Sequence, residues 1–161
     1  MNQTVKDVIT TELAKLTRLE PTPVEPFAYG VDTLGVSDWT DTLDEVDPLS
    51  VLGISEALLR RLQTPRGTLQ DDSNYGVDLR AFLNRPTTSR SVLEITSEVR
   101  GEVLKDDRVI EALVTVTFQS QKLLRVKVDA TPADPDTGGP FTLTLAVTSG
   151  AVLLEAINAS P

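Results

Sequence analysis

The chain changes its hydrophobic period about two thirds of the way along. Between Val51 and Leu104 apolar residues recur at steps of three and four, and beyond Leu104 they alternate. Steps of three and four build one apolar stripe on a helix; alternation builds one apolar face on a strand. Ile110, Ala112, Val114, Val116 and Phe118 form a first alternating set. Leu124, Val126, Val128 and Ala130 form a second, after a turn at Ser120-Gln121. The loop Thr131–Pro140, rich in proline, aspartate and glycine, leads to Phe141, Leu143, Leu145 and Val147, and Ser149-Gly150 turns into a fourth strand, Ala151–Asn158. Two hairpins joined by a loop make an antiparallel sheet with one buried face, and the preceding helices supply its cover. The expected fold class is α+β, with helices packed on a small antiparallel β-sheet ending in C-terminal hairpins.

The helical part divides into three. Asp47-Pro48 reads as an N-cap followed by proline at the first helical position. Val51, Ile54, Leu58 and Leu62 then make a stripe ending near Thr64. Thr64-Pro65-Arg66-Gly67 is a turn signature, with proline second and glycine fourth. A polar turn, Asp71–Gly76, leads to a short helix around Asp78–Leu83. A longer helix from about Thr88 to Leu104 has Val92, Ile95, Val99 and Val103 as its core stripe. Arg100 projects beside Leu93 and Leu104, so its stem lies on apolar surface while its guanidinium requires a carboxylate or backbone acceptors. Glu94 and Glu98 stand one turn apart and repel unless a base approaches; Arg90 and the Arg60/Arg61 pair are the candidates.

Ahead of these lies a different kind of segment. Val5, Val8, Ile9, Leu13, Leu16 and Leu19 define an amphipathic helix with Thr4 as its cap and Pro21 and Pro23 as its stop. Such a helix packs either on its own domain or on a partner. From Glu20 to Asp47 there are eight acids and no base, which reads as an extended connector. Phe27 and Trp39 within it anchor either to the chain's own core or to another surface. The expected division is 1–47, helix and acidic connector, and 48–161, the α+β domain.

Composition narrows the chemistry. The chain has no cysteine and no histidine, which removes thiol nucleophiles, Cys/His zinc sites, imidazole acid–base catalysis and Ser-His-Asp triads. Its net charge is −9, from 24 acids and 15 bases, which opposes binding to a phosphate backbone. The acidity is local: residues 1–50 hold ten acids and three bases, whereas 51–109 hold nine of each. No apolar run approaches the ~20 residues of a membrane span, and no leader is expected at the N-terminus. Asp134–Gly139 and Asp72-Ser73-Asn74 lack the calcium-loop pattern. The glycines build no phosphate-cradling loop, and carboxylate pairs without flanking aromatics are a poor basis for a sugar cleft. The expectation is a chain with no catalytic residue, cofactor or metal.

The final strand carries one charge and is apolar on both faces from Ala151 to Ile157. Left as an edge in water it would template aggregation. Either a second layer of the same domain covers it, or a partner adds a strand there.

One stretch is distinctive as a unit. Leu58–Leu69, with Arg60-Arg61-Leu62-Gln63-Thr64-Pro65-Arg66-Gly67 at its centre, is followed by Asn74-Tyr75-Gly76-Val77-Asp78-Leu79. The combination resembles the baseplate-wedge and sheath-initiator family of contractile phage tails, which has a type VI secretion counterpart. Members read helix, RL-x-T-x-x-G, polar turn, YG-x-x-L, then a helix with a Glu-Pro-Arg signature and a hairpin. That signature aligns with Glu98-Val99-Arg100, valine replacing proline, followed by Asp107-Arg108-Val109. The resemblance spans about 51–129. It implies a virion component made in the host cytoplasm, six copies around the tail axis, and contacts with baseplate wedge proteins, tube-base or hub proteins and the tail sheath protein. Under it Glu98 and Arg100 are partner-binding or helix-locking residues. Leu143, Leu145, Val152, Leu153 and Leu154 are partner-binding residues of the strands on which sheath assembles. Some members were labelled lysozymes and an anti-adaptor regulator shares the fold, so a cell-wall lysozyme and a soluble regulator are the alternatives.

Overall fold

The computed structural model describes residues 32–33, 45–83 and 85–159. The expected N-terminal helix and most of the acidic connector, with Phe27 and Trp39, lie outside the described residues. Two short strands, β1 (Asp32–Thr33) and β2 (Glu45–Val46), pair antiparallel. Helix α1 (Val51–Gln63) follows, then a 3-10 turn at Leu79–Phe82 and helix α2 (Ser89–Val103). Strands β3 (Val109–Ser120), β4 (Leu123–Pro132), β5 (Phe141–Val147) and β6 (Val152–Ala159) complete the chain. They form one antiparallel sheet in the order β3-β4-β5-β6. The α+β class is therefore as the two periods dictate.

Both helices lie on one face of the sheet. Ile54, Leu58 and Leu62 of α1 and Ile95, Val99 and Val103 of α2 meet Val114, Leu124, Val126, Val128, Leu143 and Leu145 in one core. Fully burying a side chain of this kind contributes roughly 1.5–3 kcal/mol. The other face carries exposed Leu113 and Leu153 among polar residues and ion pairs: Lys127 with Asp129, and Arg125 with Glu155 in a two-bond contact of 2.8 and 2.9 Å across β5.

Boundaries shift where side chains choose different partners. Helix α1 begins three residues later than the Asp47-Pro48 signal, because Ser50 accepts from the Gly53 N–H and acts as its cap. Asp47 instead caps the preceding turn, accepting from the Leu49 N–H. The first interhelix turn also moves by one residue. The Thr68 N–H donates to the Pro65 carbonyl, which places Gly67 third in the turn at φ +83°. That is the position where a type II turn needs glycine. Helix α2 keeps its expected limits, with Thr88 capping the Ser91 N–H.

Two bulges decide which residues face the core. Val109 pairs with Pro132 and Glu111 with Thr131, leaving Ile110 as the extra residue. Ile110 is accordingly 57 % exposed and Val109 is buried in its place, against the alternation that put Ile110 inside. On β6, Thr144 pairs with Ala156 and Leu145 with Leu154, so Glu155 is extra. An extra residue breaks the ladder and bends the strand.

Candidate functional site

The residues of the distinctive stretch converge on one buried carboxylate, Glu102. It sits on the inner face of α2, seven residues after Ile95 and three after Val99, and its side chain is 0 % exposed. Four donors meet its two oxygens. Oε1 accepts from the Gly76 N–H at 2.7 Å and from Arg61 at 3.2 Å. Oε2 accepts from Lys105 at 2.7 Å and from Arg66 at 3.1 Å. Arg61 comes from α1, Arg66 from the turn after it, Gly76 from the polar loop and Lys105 from the end of α2. Arg66 also donates to the Gly76 carbonyl, and the Val77 N–H donates to the Arg61 carbonyl. The loop between the helices is thus laced to both of them. The Arg61 guanidinium lies 4.4 Å over the Tyr75 ring, a cation–π contact.

A second buried pair follows directly. Arg108 clasps Asp106 through two bonds of 2.7 and 2.8 Å and donates to the Pro48 carbonyl at 2.8 Å. This ties the approach to β3 to the start of α1. Burial raises the carboxyl pKa of Glu102, but Lys105, the Gly76 N–H and Arg61 outweigh it and hold it below the ordinary glutamate value. Asp106 shows the same contest, with burial outweighed by Arg108. A general acid requires the opposite shift. Both carboxylates are therefore charged at neutral pH and placed to tether the segments around them. Glu102 was not singled out by sequence reasoning, although a lone acid at helical spacing within an apolar stripe is the signal that marks such a group.

The expected site residues fall into different places. Glu98 and Arg100 are not paired with each other. The Arg100 Nε–H donates to the Ala112 carbonyl of β3 at 2.9 Å, and Glu98 makes no ion pair among the described residues. Arg100 is exposed, as is its neighbour Leu93 at 69 %, so this side of α2 faces outward. Arg90 supplies the base for Glu94, at 2.9 Å, while Arg61 goes to Glu102. The acid-x-arginine spacing assigned to Glu98-Val99-Arg100 is realised as an ion pair at Asp106-Asp107-Arg108 instead. Leu143 and Leu145 require correction: each is 0 % exposed, because β5 is an interior strand and both point at the helices. Val152 is buried as well. Leu153 and Leu154 remain accessible, at 55 % and 37 %.

The two outer strands each receive one donor from a helix. Arg100 of α2 caps the Ala112 carbonyl on β3, and Gln63 of α1 caps the Val152 carbonyl on β6 at 3.0 Å. Such caps blunt an edge locally. On β6 the cap sits at the first residue, and the strand runs on through Ala159 as the last member of the sheet.

No protein-family model matches this chain, and a search of curated proteins finds no match. Among the described residues no helix is long and apolar enough to cross a membrane, and no group of acids has the makings of a metal site.

Proposed function

We propose that this chain is a structural component of a contractile-tail baseplate, a sheath initiator that acts by binding geometry. Its partners are wedge and tube-base proteins on the helical side and the sheath protein along β6, in a virion ring of six copies. The observation that carries the reading is the position of β6. It ends a four-stranded antiparallel sheet, is capped by Gln63 at Val152, and presents Leu153 and Leu154 beyond that cap. An outer strand with accessible apolar side chains is suited to strand addition, where main-chain bonds supply affinity and alternate side chains supply register. The stretch that resembles the family supports the reading by its use: it supplies Arg61, Arg66 and Gly76 to the Glu102 tether that joins the two helices and the loop between them.

Co-expression with the sheath, tube-base and wedge proteins of a contractile tail, followed by electron microscopy, tests this. Sheath rings are expected to nucleate on the intact chain. Leu153→Lys combined with Asn158→Lys, both exposed positions, places lysines along the outer strand and should abolish nucleation. Rings that nucleate equally well on that variant reject templating by β6. Release of muropeptides by the purified protein would replace the reading with a lysozyme.

A further inference from the structure

Strand β3 ends the sheet on the side opposite β6, and most of its outer edge is open. The Ala112 carbonyl accepts from Arg100 and so faces away from β4. Alternate residues of an antiparallel strand turn their backbone groups to the same side, so those of Val114, Val116 and Phe118 also face outward. Among the described residues nothing donates to or accepts from them on that side. From Ala112 to Gln121 no residue is charged, so beyond the Arg100 cap the edge lacks the charges that usually blunt one. Apolar side chains flank the opening: Leu113 is exposed on the outer face of the sheet and Leu93 on the helix side. Leu93 stands seven residues before Arg100, on the same face of α2. Seven helical residues rise about 10.5 Å, a distance that a strand covers in about three residues. Leu93 therefore overhangs the edge near Thr115 and Val116.

We infer that the free chain forms a symmetric dimer through this edge, with β3 paired antiparallel to β3 of a second copy. The Arg100 cap at Ala112 and the bulge before Ser120 bound the open run, which centres the pair on Val116. Val114 then exchanges backbone hydrogen bonds with Phe118 of the second copy, and Val116 with its own counterpart. On the outer face Thr115 meets Thr117 of the second copy twice, a favourable cross-strand pair, and Leu113 meets Gln119. This self-matching is what a twofold interface requires. The two Leu93 side chains come to lie beside the twofold axis, where each covers apolar surface of the other copy. A partner recognised by charge would find nothing to pair with along this run, whereas two chains of net −9 meet here without opposing like charges. The dimer is one continuous sheet with a β6 strand at each end, so it stands apart from strand templating and either can fail alone.

Sedimentation of the full chain tests this. The mass should rise with concentration from 17.5 kDa to twice that value. Leu153→Lys with Asn158→Lys on β6 should leave the rise unchanged. Thr115→Lys with Thr117→Lys, both exposed positions, should abolish it. Because the chain has no cysteine of its own, single cysteines report the register. Thr115→Cys mixed with Thr117→Cys should give a disulfide-linked pair under mild oxidation, since residues facing each other there stand about 4.5 Å apart. Neither variant alone should link, because its two thiols lie about two residues out of register, beyond the ~7 Å that a disulfide spans. The gain of a link guards against misfolding as an explanation for the loss in the lysine variant. A chain that stays monomeric up to about 200 μM, where even a weak micromolar contact would be more than half formed, overturns the inference. So does a dimer that is lost in the β6 variant, or one that links as readily within either cysteine variant alone.

Discussion

The backbone N–H of Gly76 donates to the Glu102 carboxylate across 2.7 Å of buried interior. The contact joins a loop glycine to a helix residue and organises everything between the two helices. Gly76 reaches it with φ at +91°, and its Cα packs so closely on the end of α1 that an added Cβ would stand 2.3 Å from the Thr64 carbonyl oxygen. Glu102 in turn gathers Arg61, Arg66 and Lys105. Arg61, Arg66 and Gly76 of the distinctive stretch thus form a clamp around a buried carboxylate.

Removing the clamp's acceptor should be costly. Glu102→Ala leaves the buried Gly76 N–H without its acceptor and takes the shared anion from three partly exposed cations, and an unsatisfied buried donor costs about 1–3 kcal/mol. Glu94→Ala removes only an exposed, solvent-screened i,i+4 pair with Arg90 and should cost far less. Urea unfolding of the two variants measures the contrast, and comparable midpoints would mean the clamp carries no net stability.

Gly76→Ala and Gly67→Ala separate two kinds of glycine requirement. Both positions have positive φ, but Gly67 has open space around it. Gly67→Ala should cost about 1–2 kcal/mol from backbone strain alone. Gly76→Ala adds a clash with Thr64 and disturbs the bond to Glu102, so a loss of about 3 kcal/mol or more is expected. Thermal unfolding of the pair checks the order.

Acid should loosen the protein in a defined direction. Glu102 and Asp106 titrate below their ordinary values of 4.5 and 3.8 in the fold. Between folded and unfolded pKa the unfolded chain binds more protons, so stability rises with pH there. The contribution is complete above the unfolded values and disappears as pH falls through the folded ones. Stability measured from pH 7 down to about pH 2 should therefore drop below about pH 4.5, and Glu102→Gln should flatten that limb. An unchanged acid limb in this variant would assign the transition to other carboxylates.

Arg100 provides a test of role. If its bond to the Ala112 carbonyl is what it contributes, Arg100→Met keeps the stem, loses the bond and costs about 1 kcal/mol. A variant of full stability that fails to join baseplate assemblies would instead mark Arg100 as a partner-contact residue.

The layers of this protein are legible in its residues because periodicity is local: three-four spacing in 51–104 and alternation from 109 onward dictate helices on one face of an antiparallel sheet. Caps such as Thr88 and the core stripe of α2 follow from the same short-range rules. What the tertiary structure decided lies beyond that range. Arg61, Arg66 and Gly76 are 41, 36 and 26 residues from Glu102, and no local pattern says which carboxylate they share. The bulges at Ile110 and Glu155 exchange inside for outside because a strand's facing depends on the register of its neighbour. Leu143 and Leu145 illustrate the same point, since alternation makes them apolar and only the strand order makes them interior. Short-range sterics and hydrophobic period wrote the elements; long-range pairing of charges and strands chose which residues became clamp, core and edge.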